Sequence, residues 1–135
     1  MVGPKKIFKL ADAAQQTVGG FLLAGPFVVT EEVWVLASQM TSLHALVTVG
    51  IVFGIGYGTL YKADHDRDPE REPEVVGVPL RFISLMIVSY ASVTILAFTL
   101  AAPTTFEAGM GTTLKAISVG AIFSVIGAAT ADSLF

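Results

Sequence analysis

The chain of 135 residues contains no cysteine. That excludes a disulfide framework, a thiolate metal site and a cysteine nucleophile. Charge is scarce as well. Only 14% of the residues are Asp, Glu, Lys or Arg, against about 25% in an ordinary soluble domain. The net charge of −3 argues against a phosphate-binding surface, so nucleic acid is not an expected partner. There are two histidines, His44 and His65, and one tryptophan, Trp34. No Ser-His-Asp arrangement, metal-ligand cluster or phosphate-binding loop is present, so the chain does not read as an enzyme and no cofactor is expected.

What is present is apolar. Hydrophobic residues make up 53% of the chain, and the mean hydropathy is +0.72. A soluble protein with so apolar a surface aggregates, so the expected partner is the lipid bilayer. The few charges are also unevenly placed. Ten of the nineteen fall between Lys62 and Arg81.

A spanning helix needs about 20 mostly apolar residues, and four stretches qualify: 17–37, 43–61, 80–101 and 112–131. The segment 38–42 makes a tight hairpin after the first, and the charged loop 62–79 follows the second. Ala102-Pro103-Thr104-Thr105 ends the third, because Pro cannot continue a helix. Ahead of the first span, Ile7, Phe8, Leu10, Ala11 and Ala14 share one face, with Lys5, Lys9 and Asp12 opposite. That pattern predicts a short interfacial helix over 1–16; a helical extension of the first span is the alternative. Lys and Arg concentrate on cytoplasmic loops. Lys5, Lys6, Lys9, Lys62, Arg67, Arg71 and Arg81 against Lys115 alone put both termini and the charged loop in the cytoplasm. The expected fold is therefore an all-α integral membrane protein with four transmembrane helices, forming one membrane domain over 1–135.

Lipid-embedded helices associate through close packing and interhelical hydrogen bonds. Gly50, Gly54 and Gly58 recur every four residues and form a stripe on the second span. The stripe calls for another helix pressed against it, from this chain or from a second one. The fourth span carries Ala116, Gly120, Ser124, Gly127 and Ala131 at similar spacing, and the third carries Ser84, Ser89 and Ser92.

The candidate chemistry lies at Gly25-Pro26-Phe27-Val28-Val29-Thr30-Glu31-Glu32-Val33-Trp34. An acid at a helix centre costs about 2.5–3.5 kcal/mol on insertion scales. Pro26 predicts a kink and frees the Leu22 carbonyl. Glu32, Glu31 and Thr30 are thus the candidate cation site, and a symmetric oligomer would turn each acid into a ring selecting cations. The structural alternative pairs the acids with His44 or Lys115. Trp34 fits the outer aromatic belt. In the charged loop, Asp64, Asp66 and Asp68 match the one-three-five spacing of a calcium loop, but Pro69 replaces the required turn glycine. A solvated linker fits better. The acidity and scarcity of Lys are those of halophilic archaeal proteins.

The run from Pro26 through Thr30, Glu32, Val33 and Trp34 resembles the first-helix signature of a family of small uncharacterised integral membrane proteins of archaea and bacteria. The third span from Arg81 is compatible with it. The resemblance implies the same multi-pass fold and favours Glu32 over Glu31. The function expected from all this is an oligomeric cation channel or transporter, a homo-oligomer taking cations through the first-helix glutamates. A non-transporting membrane scaffold or accessory subunit, held by its glycine stripes, is the alternative.

Overall fold

The computed structural model describes residues 10–62, 74–75 and 77–134. The expectations for Lys5, Lys6, Lys9 and the acidic repeat from Asp64 to Glu72, with His65, lie outside these residues. Among the described residues the chain is almost entirely helical: α1 Leu10–Val28, α2 Glu31–Gln39, α3 Ser42–Tyr57 with a π-helical turn Gly58–Lys62, α4 Leu80–Thr99, the single turn α5 Ala102–Thr105, and α6 Met110–Leu134. A two-stranded antiparallel ladder, β1 Glu74–Val75 with β2 Val78–Pro79, turns at Gly77 and leads into α4.

Three helical stretches are long and apolar enough to cross a membrane unbroken: 42–61, 80–99 and 110–133. The first predicted span differs. It is broken, and α2 leaves α1 at 80°, too steeply to continue the same crossing. α1, with 19 residues, is about 28 Å long, but it has the apolar content of a span only together with α2. No separate interfacial helix precedes it in the described residues. Leu10 to Gln16 run straight into α1, and Gln16 is fully buried in the bundle, because its amide is needed there, as described below. The third span also ends differently from expectation. α4 stops at Thr99, Ala101 takes a left-handed conformation (φ 57°), and Pro103 sits in the first turn of α5. Proline thus starts a helix here rather than stopping one.

α6 is the central element, packed against α1, α2, α3 and α4. Its tightest neighbour is α1. Gly19 of α1 meets the backbone of Gly127, and Gly20 meets the Ser124 side chain. No side chain intervenes at Gly19, so the two backbones touch. Ser124 Oγ donates to the Gly20 carbonyl at 3.2 Å. On the α4 side Gly120 receives Val93. All five small residues of the α6 stripe, Ala116, Gly120, Ser124, Gly127 and Ala131, are buried between helices of this chain.

The α3 stripe is different. A side chain added at Gly50, Gly54 or Gly58 would find nothing within 4 Å. The glycine that packs inside the bundle is Gly56, against Leu85, Met86 and Val125. α3 is the least covered spanning helix, and α6 the most covered.

Gly127→Val would drive a branched side chain into the Gly19 backbone, and we expect it to destabilise the fold by about 1–3 kcal/mol. Gly50→Ala fills open space and should leave the monomer unchanged or up to about 1 kcal/mol more stable. Unfolding of both variants in detergent, followed by circular dichroism, measures the contrast. Equal effects at the two positions would contradict the crossing.

Candidate functional site

The break between α1 and α2 is built from its own residues. Pro26 lies within α1 and is exposed, and the bend comes after Val28. The Thr30 hydroxyl donates to the Phe27 carbonyl at 2.8 Å, and its N–H donates to the same oxygen at 3.1 Å. Short polar side chains compete with the helix ladder in this way. Trp34 then turns its indole N–H onto the Val28 carbonyl at 2.8 Å. The Phe27 and Val28 carbonyls at the end of α1 are thus held by Thr30 and Trp34. Trp34 is also not in an outer lipid-facing belt. It is 3% exposed and stacks on Phe106, ring centroids 5.7 Å apart.

Glu31 and Glu32 form the first turn of α2, and both are exposed. Carboxylates there meet the unpaired N–H groups and the positive end of the helix dipole. They therefore sit at the end of the bundle predicted to face outward, rather than inside a continuous span. Adjacent helical residues project about 100° apart, and the two acids separate accordingly. Glu31 lines an open pocket of about 370 Å³ with Trp34, Ser38, Phe106, Glu107 and Thr112. Glu32 points away from it, sharing a shallow surface depression with Glu31, Val35 and Leu36. Glu107 was not singled out from the sequence. It follows α5 in a left-handed conformation (φ 54°), which costs roughly 1–2 kcal/mol for a residue with a side chain. The turn around it, with Ala108 N–H donating to the Pro103 carbonyl at 2.8 Å, places that acid in the same pocket as Glu31.

The two expected counter-charges are committed elsewhere. His44 closes a capping box at the start of α3, its Nδ1 accepting from the Thr41 N–H at 3.1 Å. Lys115 Nζ donates to the Met40 carbonyl at 2.7 Å, fastening the end of α2 to α6. Among the described residues no cation pairs with Glu31, Glu32 or Glu107.

The strongest electrostatic feature lies at the opposite, inner end. The sequence reading counted Arg81 as a loop charge. It is in the first turn of α4 and fully buried. Its Nη1 donates to both oxygens of Asp132 at 2.8 and 2.9 Å, and its Nη2 lies 3.3 Å from Asp12 Oδ2. Gln16 Nε2 donates to Asp132 Oδ2 at 3.1 Å, and Ser84 Oγ donates to Gln16 Oε1 at 2.7 Å. One guanidinium thus joins the start of α1, the start of α4 and the end of α6. Guanidinium suits this because it offers several fixed donors and keeps its charge when buried. The sequence held a usable signal. Asp12, Arg81 and Asp132 fall at three predicted helix ends on one side of the membrane, with opposite signs at similar depth. Of the three serines, Ser84 bonds across helices, Ser92 faces Gly20, and Ser89 donates to the Leu85 carbonyl of its own helix at 2.7 Å.

A bundle of apolar spans, fastened by a buried ion pair at one end and closed by a broken helix at the other, defines a multi-pass integral membrane protein. The chain belongs to the family described as "Putative integral membrane protein (DUF2391)", whose model matches residues 5–134. No curated protein and no solved structure matches it.

Removing one member of a buried ion pair leaves the other charge stranded, at a cost of about 3–5 kcal/mol. Asp132→Leu and Arg81→Met should each lower stability by that order, and the double variant should recover much of the loss. A double-mutant cycle on unfolding in detergent checks this. Additive losses would show that the pair is not coupled.

Proposed function

We propose that this protein is a subunit of an oligomeric cation channel or transporter, and not an enzyme. Glu31, with Glu107, gathers the cation at the outer end. The observation that supports the reading is the shared pocket: two carboxylates from separate parts of the chain line one opening, with hydroxyls of Ser38 and Thr112 beside them. Carboxylates so placed concentrate cations and repel anions. Glu32 faces outward on the same helix turn and is positioned to meet a neighbouring copy.

The bundle interior argues for passage between copies rather than through one. Between the pocket and the ion pair the buried positions are mostly apolar, among them Ala24, Val28, Leu85, Val93, Ala97, Ala121 and Val125, and the buried hydroxyls of Ser89 and Ser124 are already bonded to backbone carbonyls. The uncovered Gly50, Gly54 and Gly58 face of α3 permits close approach of another helix, as small-residue stripes do in membranes. The same stripe is the specific support for the second reading, a non-transporting scaffold or accessory subunit, which needs the contact but not the acids.

Purified protein in liposomes, assayed in sodium, potassium and calcium gradients at low and molar salt, separates the two. Wild-type protein should pass a cation. Glu31→Gln should lower flux or alter selectivity more than Glu32→Gln. Wild-type protein should run as an oligomer in detergent, and Gly54→Leu should dissociate it and abolish flux with it. An assembled protein passing no cation in any gradient leaves the scaffold reading standing and removes the channel.

A further inference from the structure

The geometry points to Trp34 as the residue that positions Glu31 against Glu107. This assignment rests on the proposed role of the outer pocket, but its structural half can be tested without it. Glu31 and Trp34 are three residues apart on α2 and share one helix face, and both line the pocket. Trp34 has two attachments on two different parts of the chain. Its indole N–H holds the Val28 carbonyl at 2.8 Å, in the last turn of α1. Its ring lies on Phe106 with planes 26° apart, and Phe106 is the residue before Glu107. The first contact fixes where α2 departs from α1, and so the direction of Glu31. The second fixes the wall carrying Glu107.

Among the described residues, the other hydrogen bonds near the break hold one wall only. Thr30 is bonded within the break, to Phe27. Lys115 fastens only the far end of α2, at Met40. A buried indole N–H is seldom left without an acceptor, and a helix carbonyl at a break is seldom left without a donor. Each group here satisfies the other, which makes the bend a definite angle rather than a loose joint. Trp34 does not touch the proposed ion. Its effect on cations is exerted through the spacing of the two acids.

The chain has no cysteine, so spin labels go only where cysteines are introduced. Gln39 and Thr104 are exposed and lie on α2 and α5, one on each wall. Full-length protein labelled at Gln39→Cys and Thr104→Cys should give a narrow distance distribution by pulsed electron resonance. Adding Trp34→Phe, which keeps an aromatic ring but loses the donor, should broaden or shift it. In liposomes, Trp34→Phe should change the sodium-to-potassium permeability ratio by about tenfold, the scale of one lost hydrogen bond. Glu31→Gln should then add little in the Trp34→Phe background. If Trp34→Phe does not fold, benzothienylalanine at position 34 retains the two-ring shape and removes only the N–H. An unchanged label distance overturns the assignment, and so does an unchanged permeability ratio in the folded variant. Wild-type protein that passes no cation removes the transport reading instead, and the label distances alone then decide whether Trp34 sets the geometry.

Discussion

The backbone contact between Gly19 and Gly127 is the constraint on which the rest of this bundle depends. Helices in lipid gain nothing from hiding apolar surface from their surroundings, so proximity itself must supply the attraction. With no side chain between them, α1 and α6 approach until dispersion contacts accumulate along both helices. That approach places Gln16 within reach of Asp132 below the crossing. Above it, the Phe27 ring stacks on Phe123 with centroids 3.8 Å apart. α4 then closes on the pair, its Val93 against Gly120 and its Ser92 against Gly20.

The two ends of the bundle use polar chemistry differently. At the inner end charge is buried and mutually satisfied, and it joins three helices. At the other end Glu31, Glu32 and Glu107 are exposed, and the one Lys there, Lys115, bonds a backbone carbonyl and none of them. The first arrangement resists change because every displacement strands a charge. The second keeps its carboxylates accessible while the scaffold beneath them, Thr30, Trp34 and the turn after α5, is fixed. One end thus holds the fold together, and the other leaves its carboxylates open to solvent.

Much of the fold was legible in the sequence because spans declare themselves by length and hydropathy alone. The second, third and fourth stretches correspond to α3, α4 and α6, with shifts at their ends. The first stretch was legible as apolar but not as broken. Pro26 drew attention to itself, yet the bend is set by Thr30 and Trp34, whose hydrogen bonds depend on geometry that no spacing rule encodes. Glu107 was missed because nothing in its neighbours announces a left-handed residue that brings it opposite Glu31. The glycine stripes show the limit from the other side. Spacing identified small-residue faces on α3 and α6, but only packing distinguishes the face used within the chain from the one left uncovered. Arg81 was counted correctly as a charge and assigned to the wrong environment, since its burial depends on Asp132 at the end of a different helix.

The inner ion pair also sets an order on biogenesis. Fifty-one residues separate Arg81 from Asp132. At about 5–20 residues per second, synthesis of that stretch takes roughly 3–10 s. Until that stretch is made, Asp132 cannot yet meet the Arg81 guanidinium. Asp12, its other partner in the finished fold, is made earlier and is partly open to water. Completion of the ion-paired end therefore waits for the last turn of α6.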